Sequence, residues 1–453
     1  MTRIYPHIIV AKFGGTSVAD FDAMSRSATL VLTDNNVRLV VLSASAGVTN
    51  LLVELASGLE SRVRLDKIET LRTLQYNIIS RLKQPEAIAQ EIDRLLDNIS
   101  RLAEMAVGSR SAALCDELVS HGELMSSLLF VEVLREQEVQ AQWFDARKVI
   151  RTNDTFGCAV PAISAIAALS EKHLRPRIEQ ALVVTQGFIG CDAAGQTTTL
   201  GRGGSDYTAS LLAEALQASR VDIWTDVAGI YTTDPRIVPQ AKRIDNLSFS
   251  EASEMATFGA KVLHPATLLP AMRKNIPVFV GASSNPSAGG TLVCRDVPAP
   301  SRYRALAVRR QQTLLTLSSV NAQPAHRFLA DMFGILSRHE MAFDLVTTSE
   351  TRIALILNSS SSTSGEADTL TTALLTELSS HCHVDVETGL ALVSLIGNAL
   401  SQATAVCKKV FAELEKHPVR MICHGASSHN LCFLLPAEFA DSAVKALHRS
   451  LLE

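Results

Sequence analysis

Along residues 1 to about 295, the apolar positions switch repeatedly between strand and helix spacing. "HIIVAKF" (7–13) and "RLVVLSAS" (38–45) are short, β-branched runs of the kind buried on both faces of a parallel sheet. Between them Asp20–Leu32 has helical spacing, and a long helical region with a Glu-, Arg- and Gln-rich polar face follows from Leu51 to about Leu134. Strand-like runs return at "ALVVTQGFIG" (181–190), "VDIWTDV" (221–227) and "IPVFVG" (276–281), separated by helical "TASLLAEALQAS" and "PATLLPAMRKN". This alternation predicts an α/β sheet sandwiched by helices.

"RDVPAPSRYR" (295–304) has two prolines and neither period, and reads as a linker. Beyond it Ser and Thr become common, and "SSSSTSGEAD" (359–368) is a polar loop. The C-terminal part repeats internally. An offset of 78 superposes Phe333 on Phe411, Leu314 on Leu392, Leu317 on Leu395, Leu336 on Leu414, His339 on His417 and Ser349 on Ser427 without a gap. The first unit reads strand (Thr313–Ser318), helix (Phe328–His339), strand (Ala342–Thr348), strand (Thr351–Leu357), helix (Glu366–Ser379), strand (His383–Glu387). That βαββαβ order is the ferredoxin-like plan. The second unit has a strand at 390–396, a helix at 400–416, a strand pair at 419–435 and a helix at 437–451, and so lacks its last strand. "YRALAVR" (303–309) precedes the first unit unused, and the expectation is that it completes the second. The first domain would then be inserted in the second. The alternative is two independent, imperfect domains.

Length and composition bound the function. At 453 residues the chain has room for about three domains of the usual ~150 residues. A net charge of −4 gives no case for nucleic acid. The eight cysteines are scattered, with none in a C-x-x-C pair, and Cys294 and Cys432 lie in apolar runs. Buried thiols in a reducing compartment are expected, rather than disulfides or zinc. No apolar stretch reaches the ~18 residues of a membrane helix, and a lysine interrupts the N-terminal apolar run, so the expected location is cytoplasmic, without a membrane partner.

Five stretches carry candidate chemistry. "VAKFGGTSVAD" (10–20) runs from a strand into Lys12, a double glycine and two hydroxyls. Lysine beside glycines faces an anion, because glycine brings bare N–H donors close. The order is wrong for a Walker A loop, so a phosphate site of another design is expected. "TTTLGRGGSDYTASLLAEAL" (197–216) passes from a strand through Gly201-Arg202-Gly203-Gly204 to Ser205, read as a helix N-cap. Free N–H groups and a positive helix end would face an anion there, and Arg202 offers a fork that suits a carboxylate. The bland alternative is a tight turn with a capped helix. Asp206 stands where a pyrophosphate-binding G-x-G-x-x-G would have its last glycine.

"VDIWTDVAGIYTTDPR" (221–236) ends a strand in Thr225-Asp226, where ligands sit in open α/β sheets, although "TDP" is also plain turn chemistry. "FGAKVLHP" (258–265) brings Lys261, an ordinary surface lysine on pattern alone. "VSHGELMSS" (119–127) places Glu123 in a helix, where an exposed glutamate is the more ordinary reading. "VVLSASAGVTN" (40–50) ends a strand in Ser43, Ser45 and Thr49, a substrate rim or a loop. Together, two glycine-rich anion sites, two lysines, an arginine fork and a Thr-Asp/Tyr strand end fit phosphoryl transfer from a nucleotide to a small acid. That reaction needs positioning and positive charge more than covalent help.

With KFGGTS at Lys12–Ser17, SHGELMS at Ser120–Ser126, TLGRGGSD at Thr199–Asp206, TDVAGIYTTDPR at Thr225–Arg236 and FGAKVLHP at Phe258–Pro265, the chain closely resembles aspartate kinase over essentially its whole length. Its tail is most similar to the monofunctional, lysine-sensitive type, and no room is expected for a fused dehydrogenase. The resemblance implies an amino-acid kinase sandwich of helices around a mainly parallel sheet over residues 1–295. Two ferredoxin-like βαββαβ ACT domains follow, at 310–388 and at 300–309 plus 389–453. It implies transfer of the ATP γ-phosphoryl to the β-carboxylate of L-aspartate, the first step of lysine, threonine and methionine biosynthesis. A glutamate-type amino-acid kinase and a non-catalytic ACT-based sensor are the rivals. Glu123 speaks against an acetylated substrate, and the presence of Lys12, Arg202 and Asp206 against a sensor.

Carried over motif by motif, Lys12 would reach the phosphates, with Gly14 and Gly15 donating backbone N–H groups and Asp206 orienting the lysine. Arg202 would clamp the aspartate α-carboxylate and Glu123 its ammonium. Ser43, Thr49, Gly203, Gly204 and Ser205 would line the substrate site. Thr225, Asp226, Tyr231, Arg236, Lys261 and Val262 would hold the nucleotide, with Mg²⁺ bound through the phosphates. An amino-acid effector, lysine, would sit against Ser318–Leu329 and Phe343–Glu350, with Phe328, Leu329, Asp344, Thr348 and Ser349 in contact. Ala322, Ala325 and Arg327 depart from the larger apolar residue, serine and glycine usual in lysine-sensitive members, and Arg327 adds positive charge. The resemblance further implies a homodimer through the ACT domains, with a tetramer as the larger form.

Overall fold

In the computed structural model, residues 7–109, 111–259, 262–297, 301–320, 324–357, 370–402, 405–425 and 427–453 are described. The chain forms two compact units, one from residues 1–230, 243–253 and 261–298, the other from 231–242, 254–260 and 299–453. Two short segments inside the expected 1–295 domain thus fold with the second unit.

The apolar runs of the first unit pair as buried strands. They are β1 (Ile9–Phe13), β2 (Val37–Leu42), β3 (Ala141–Phe144), β4 (Leu182–Gln186), a hairpin of β5 (Ile189–Cys191) and β6 (Thr197–Thr199), β7 (Arg220–Thr225), β8 (Asn246–Ser248), β9 (Val278–Ala282) and β10 (Gly290–Cys294). Eight form one sheet in the order β3-β4-β2-β1-β7-β9-β10-β8, in which only β9–β10 is antiparallel. Every residue of β1 and β4 is buried, as a sheet covered on both faces requires.

Helix α1 (Phe21–Leu32) starts where the Asp20 carboxylate accepts the Ala23 N–H at 2.7 Å. The helical region after Leu51 resolves into α2 (Val48–Ala56), α3 (Ser61–Ile79), α4 (Glu86–Gly108) and α5 (Ala112–Glu136). Gly58 and Pro85 lie at the first two breaks, which a period count over the whole stretch passes over. Helices α6 (Ile163–Leu169) and α7 (Arg175–Gln180) flank a π-turn, and α8 (Gly204–Leu216), α9 (Phe249–Phe258) and α10 (Pro265–Lys274) follow. Glu214 on α8 holds Arg273 on α10 through two hydrogen bonds, at 3.0 and 2.6 Å.

In the second unit β11 (Tyr303–Ser319), β12 (Phe343–Thr348), β13 (Arg352–Leu357), β14 (Cys382–Gly397), β15 (Met421–His424) and β16 (Asn430–Pro436) form one sheet, ordered β12-β13-β11-β14-β16-β15. The strand expected at 303–309 and the one at 313–318 are a single β11, offset at Gln311, where φ is 56°. Its first half pairs with the second half of β14 (Leu306 opposite Leu395), and its second half with the first half of β14 (Leu315 opposite Val386). Residues 303–309 therefore lie beside the second repeat and supply the strand that it lacked. Helices α11 (Ala325–Arg338) and α12 (Thr372–His381) cover one half of the sheet around Leu315, Leu355 and Phe328, while α13 (Val406–Glu413) and α14 (Ala440–Leu451) cover the other around Leu395 and Phe433. The helix expected at Glu366–Ser379 has its start outside the described residues and is seen at α12. The helix at 400–416 shortens to α13. Cys432 is buried, but Cys294 is half-exposed and Cys158 exposed. Among the described residues no helix is long and apolar enough to cross a membrane.

Candidate active site

Parallel strands bring their C-terminal ends to one edge of the sheet, where the backbone ladder runs out into loops. Here the ladder continues one residue past each strand. The Gly14 N–H donates to Trp224 O at 2.9 Å, Ser43 N–H to Phe13 O at 3.2 Å, Gly187 N–H to Leu42 O at 2.8 Å and Ser283 N–H to Thr225 O at 3.0 Å. Gly14, Ser43, Thr225 and Ser283 therefore share one rim. Ser17 and Ser283, 2.7 Å apart, link the glycine turn to the far side of that rim, and neither was singled out from sequence. Because the Gly14 N–H is spent on Trp224, the expectation that it donates to a phosphate fails. Gly15 is the first residue of the 3₁₀ turn Gly15–Val18.

Lys12, the fourth residue of β1, is buried with its ammonium 2.6 Å from Asp206 Oδ1 in the first turn of α8. The contact is ionic in character, since it lies off the geometry of a directed hydrogen bond. The structure thus joins two motifs almost 200 positions apart.

Glu123 is not the exposed glutamate that its pattern suggests. Helix α5 is buried on every face from Leu118 to Ser127, and Glu123 is 3% exposed. Burial pushes its carboxyl up to about 8, against the opposing pull of backbone N–H groups at Ala44 and Glu123 and of the Lys12 charge. Oε2 has no hydrogen-bond partner. The close approach that buries it depends on Gly122, where a Cβ would lie 2.7 Å from the Ala44 Cβ and 3.3 Å from both Leu52 and Val48. Ser43 and Thr49 are half-buried beside this loop.

The second glycine-rich stretch departs from expectation at its helix start. Gly203 takes the cap position in the left-handed region (φ 72°), and α8 begins at Gly204, so Ser205 lies within the first turn and is not the cap. A Cβ on Gly203 would meet the His264 Cβ at 2.5 Å. His264 caps α10 by accepting the Ala266 N–H, and burial and the nearby Arg202 charge lower its pKa. Arg202 itself is exposed, and no carboxylate pairs with it among the described residues. One unit therefore assembles Lys12, Asp206, Glu123, Ser43, Thr49, Ser205 and the Arg202 turn.

The expected nucleotide residues are less gathered. Thr225 donates to Asp226 Oδ1 at 2.9 Å on the rim. Val262 is half-buried in the first unit, and Lys261 lies outside the described residues. Tyr231 and Arg236 belong to the second unit, where Arg236 is 88% exposed and holds Asp234 at 2.6 Å.

Of the expected effector residues, Phe328 is committed to the core between α11 and the sheet, with Leu329 packed against it. Thr348 and Ser349 are exposed, and Asp344 pairs with Arg309 at 2.5 Å. Ala322 lies outside the described residues. Ala325 and Arg327 form the first turn of α11, with Arg327 exposed.

Comparison with known proteins gives the family. The amino acid kinase family model matches residues 7–282 and an ACT domain model residues 393–451. Lysine-sensitive aspartokinase 3 of Escherichia coli (strain K12) is 64% identical over 446 residues, covering 98% of this chain and 99% of that protein. Aspartokinase 3, chloroplastic, of Arabidopsis thaliana is 33% identical over 98% of this chain and 81% of its own. Among solved structures, E. coli aspartokinase III in complex with aspartate and ADP (R-state) superposes with a TM-score of 0.93 at 64% identity, covering 98% of this chain and all of that one. The same enzyme with lysine and aspartate (T-state) gives 0.83. The chain belongs to the amino acid kinase family and, within it, to the aspartokinases.

Proposed function

We infer that this chain is an ATP-dependent aspartate kinase, inhibited by lysine through its ACT region. The observation that carries the reading is the buried Glu123 carboxylate, which has an oxygen without a partner and shares the rim with Lys12. A buried carboxylate without a partner is costly, and an incoming ammonium relieves that cost. A free amino acid supplies one; an N-acylated substrate does not.

In this reading the aspartate ammonium sits on Glu123, its α-carboxylate on the exposed Arg202 fork, and its β-carboxylate toward Lys12. The Lys12 charge stabilises the moving phosphoryl group, and Asp206 holds the ammonium in place. Mg²⁺, carried in on the phosphates, would neutralise part of their charge. Among the described residues no cluster of three or more His, Cys, Asp or Glu side chains could hold a metal. Thr225, Asp226 and the following turn form the nucleotide side. The same reading places the chain in the cytoplasm and divides it at residues 1–295, 310–388 and 300–309 plus 389–453. It also makes the chain a homodimer through the ACT domains, with a tetramer as the larger form.

A hydroxamate assay with ATP and L-aspartate tests this, run in parallel with L-glutamate and N-acetyl-L-glutamate and repeated with lysine, threonine and methionine added singly. Turnover with aspartate alone, inhibited by lysine, is the expected result. Preference for either glutamate substrate would overturn it.

A further inference from the structure

A second carboxylate on α5, outside every motif above, makes contacts that the reaction scheme does not use. Asp116 is 2% exposed. It lies two turns before Glu123 on the same helix and faces backbone rather than another charge. Its Oδ2 accepts the Gly157 N–H at 2.9 Å and the Thr199 N–H at 2.8 Å, and its Oδ1 accepts the Thr199 hydroxyl at 2.9 Å. Burial raises its pKa, and these three donors oppose the rise.

The groups it gathers lead directly to the substrate turn. Thr199 ends β6, two residues before Gly201 and three before Arg202. Thr199 O in turn accepts the Ala159 N–H at 2.8 Å, and a Cβ on Gly201 would stand 3.1 Å from Gly157 O. Asp116 therefore fastens both strands of chain that support the Arg202 turn to the helix carrying Glu123. Three hydrogen bonds to an anionic acceptor hold more strongly than neutral ones.

We propose that Asp116 is a positioning residue that fixes the spacing between Glu123 and Arg202, and so the fit of the ammonium and α-carboxylate that an α-amino-acid substrate carries on one carbon. This rests on the reading that those two side chains bind the substrate. Asp116 touches no reacting atom. Its loss lets the Arg202 turn drift while the Lys12 rim, held by its own ladder of backbone bonds, stays in place. The deficit then falls on aspartate affinity and leaves ATP affinity alone.

The test is steady-state kinetics on the full chain for Asp116→Asn, Thr199→Val, Thr199→Ser and Arg202→Ala, with Tm measured for each. In Asp116→Asn the amide oxygen keeps the two N–H donors only by turning its NH2 toward the Thr199 hydroxyl, and the charge that strengthened all three bonds is gone, so a rise in aspartate KM of about threefold to tenfold is expected, with ATP KM within about twofold. Thr199→Val removes only the hydroxyl contact and raises aspartate KM by about threefold, while Thr199→Ser restores it. If Asp116→Asn does not fold, the Thr199 pair decides. Arg202→Ala separates the two layers of the argument: if it leaves aspartate KM unchanged, the substrate reading itself fails. If it raises KM while Asp116→Asn and Thr199→Val do not, or if those variants lose aspartate and ATP affinity together in step with Tm, the positioning role is overturned.

Discussion

The Lys12 ammonium stands 2.6 Å from Asp206 Oδ1, with the two side chains 9% and 14% exposed. An ion pair so placed is poorly solvated, and its members depend on each other. The lysine stands one residue before the end of β1, where the proposed reading has the phosphoryl group move. Its charge matters most when the transferring group is least bound to either oxygen. Lys12→Ala is expected to lower kcat by on the order of a thousandfold while aspartate KM changes only a few-fold. Turnover near the wild-type rate in the coupled assay would remove Lys12 from the mechanism.

Glu123 gives the site a pH dependence with a definite sign. Its carboxyl moves from an ordinary 4.5 to about 8, so the folded chain holds a proton that the unfolded chain has released. Stability from this group is greatest below 4.5, declines as pH rises toward 8 and is flat beyond. Only the ionised form pairs with the substrate ammonium, so kcat/KM for aspartate rises with pH and levels off near 8. Glu123→Gln should flatten both profiles, measured by Tm across pH and by kcat/KM at subsaturating aspartate. An unchanged kcat/KM profile would show that another group sets the ionisation.

Residues whose role depends on local chain order were legible in the sequence. Lys12 stands out because a buried apolar run ends in a cation and two glycines, and residues 303–309 because a repeat was short of one strand. What the sequence hid depends on packing around an element. Glu123 reads as exposed because α5 looks like any helix with polar positions, yet helices on its sides leave none of its central turns in water. Asp116 has no motif at all; its partners Gly157 and Thr199 come from two separate later segments. Ser205 reads as a cap because serine favours that position, but Gly203, in the left-handed region, turns the chain earlier. Phe328, expected among the effector contacts, has its side chain in the core, where the helical period of α11 directs it.

The close approach of α5 to the loop after β2 gives a stability prediction with a built-in control. In Gly122→Ala the added methyl meets Ala44, Leu52 and Val48 at 3.3 Å or less. None of these is the free end of a long side chain, so the helix and the loop must part. A loss of about 1–3 kcal/mol is expected from overpacking, with a raised aspartate KM because Glu123 moves with its neighbour. Gly108, the last residue of α4, has open space around its Cβ position. Gly108→Ala should leave both Tm and KM near wild type. Equal behaviour of the two variants in thermal melts and kinetics would remove the crowding argument.

Arg309 and Asp344 pair at 2.5 Å within the second unit, at 14% and 15% exposure, and Arg309 also reaches Thr257 O at 3.3 Å. If lysine places an ammonium on Asp344, one of the expected effector contacts, it competes with a guanidinium already there. A ligand contact and a merely structural pair then predict different signs. Asp344→Asn and Arg309→Gln both break the pair, so a structural role moves lysine inhibition the same way in each. Competition moves them apart. Asp344→Asn removes the ligand's partner and should raise the half-inhibitory lysine concentration by about tenfold or more. Arg309→Gln removes the competing guanidinium and should tighten lysine binding measured by calorimetry. Parallel shifts in the two variants would sink the assignment of Asp344 to the effector.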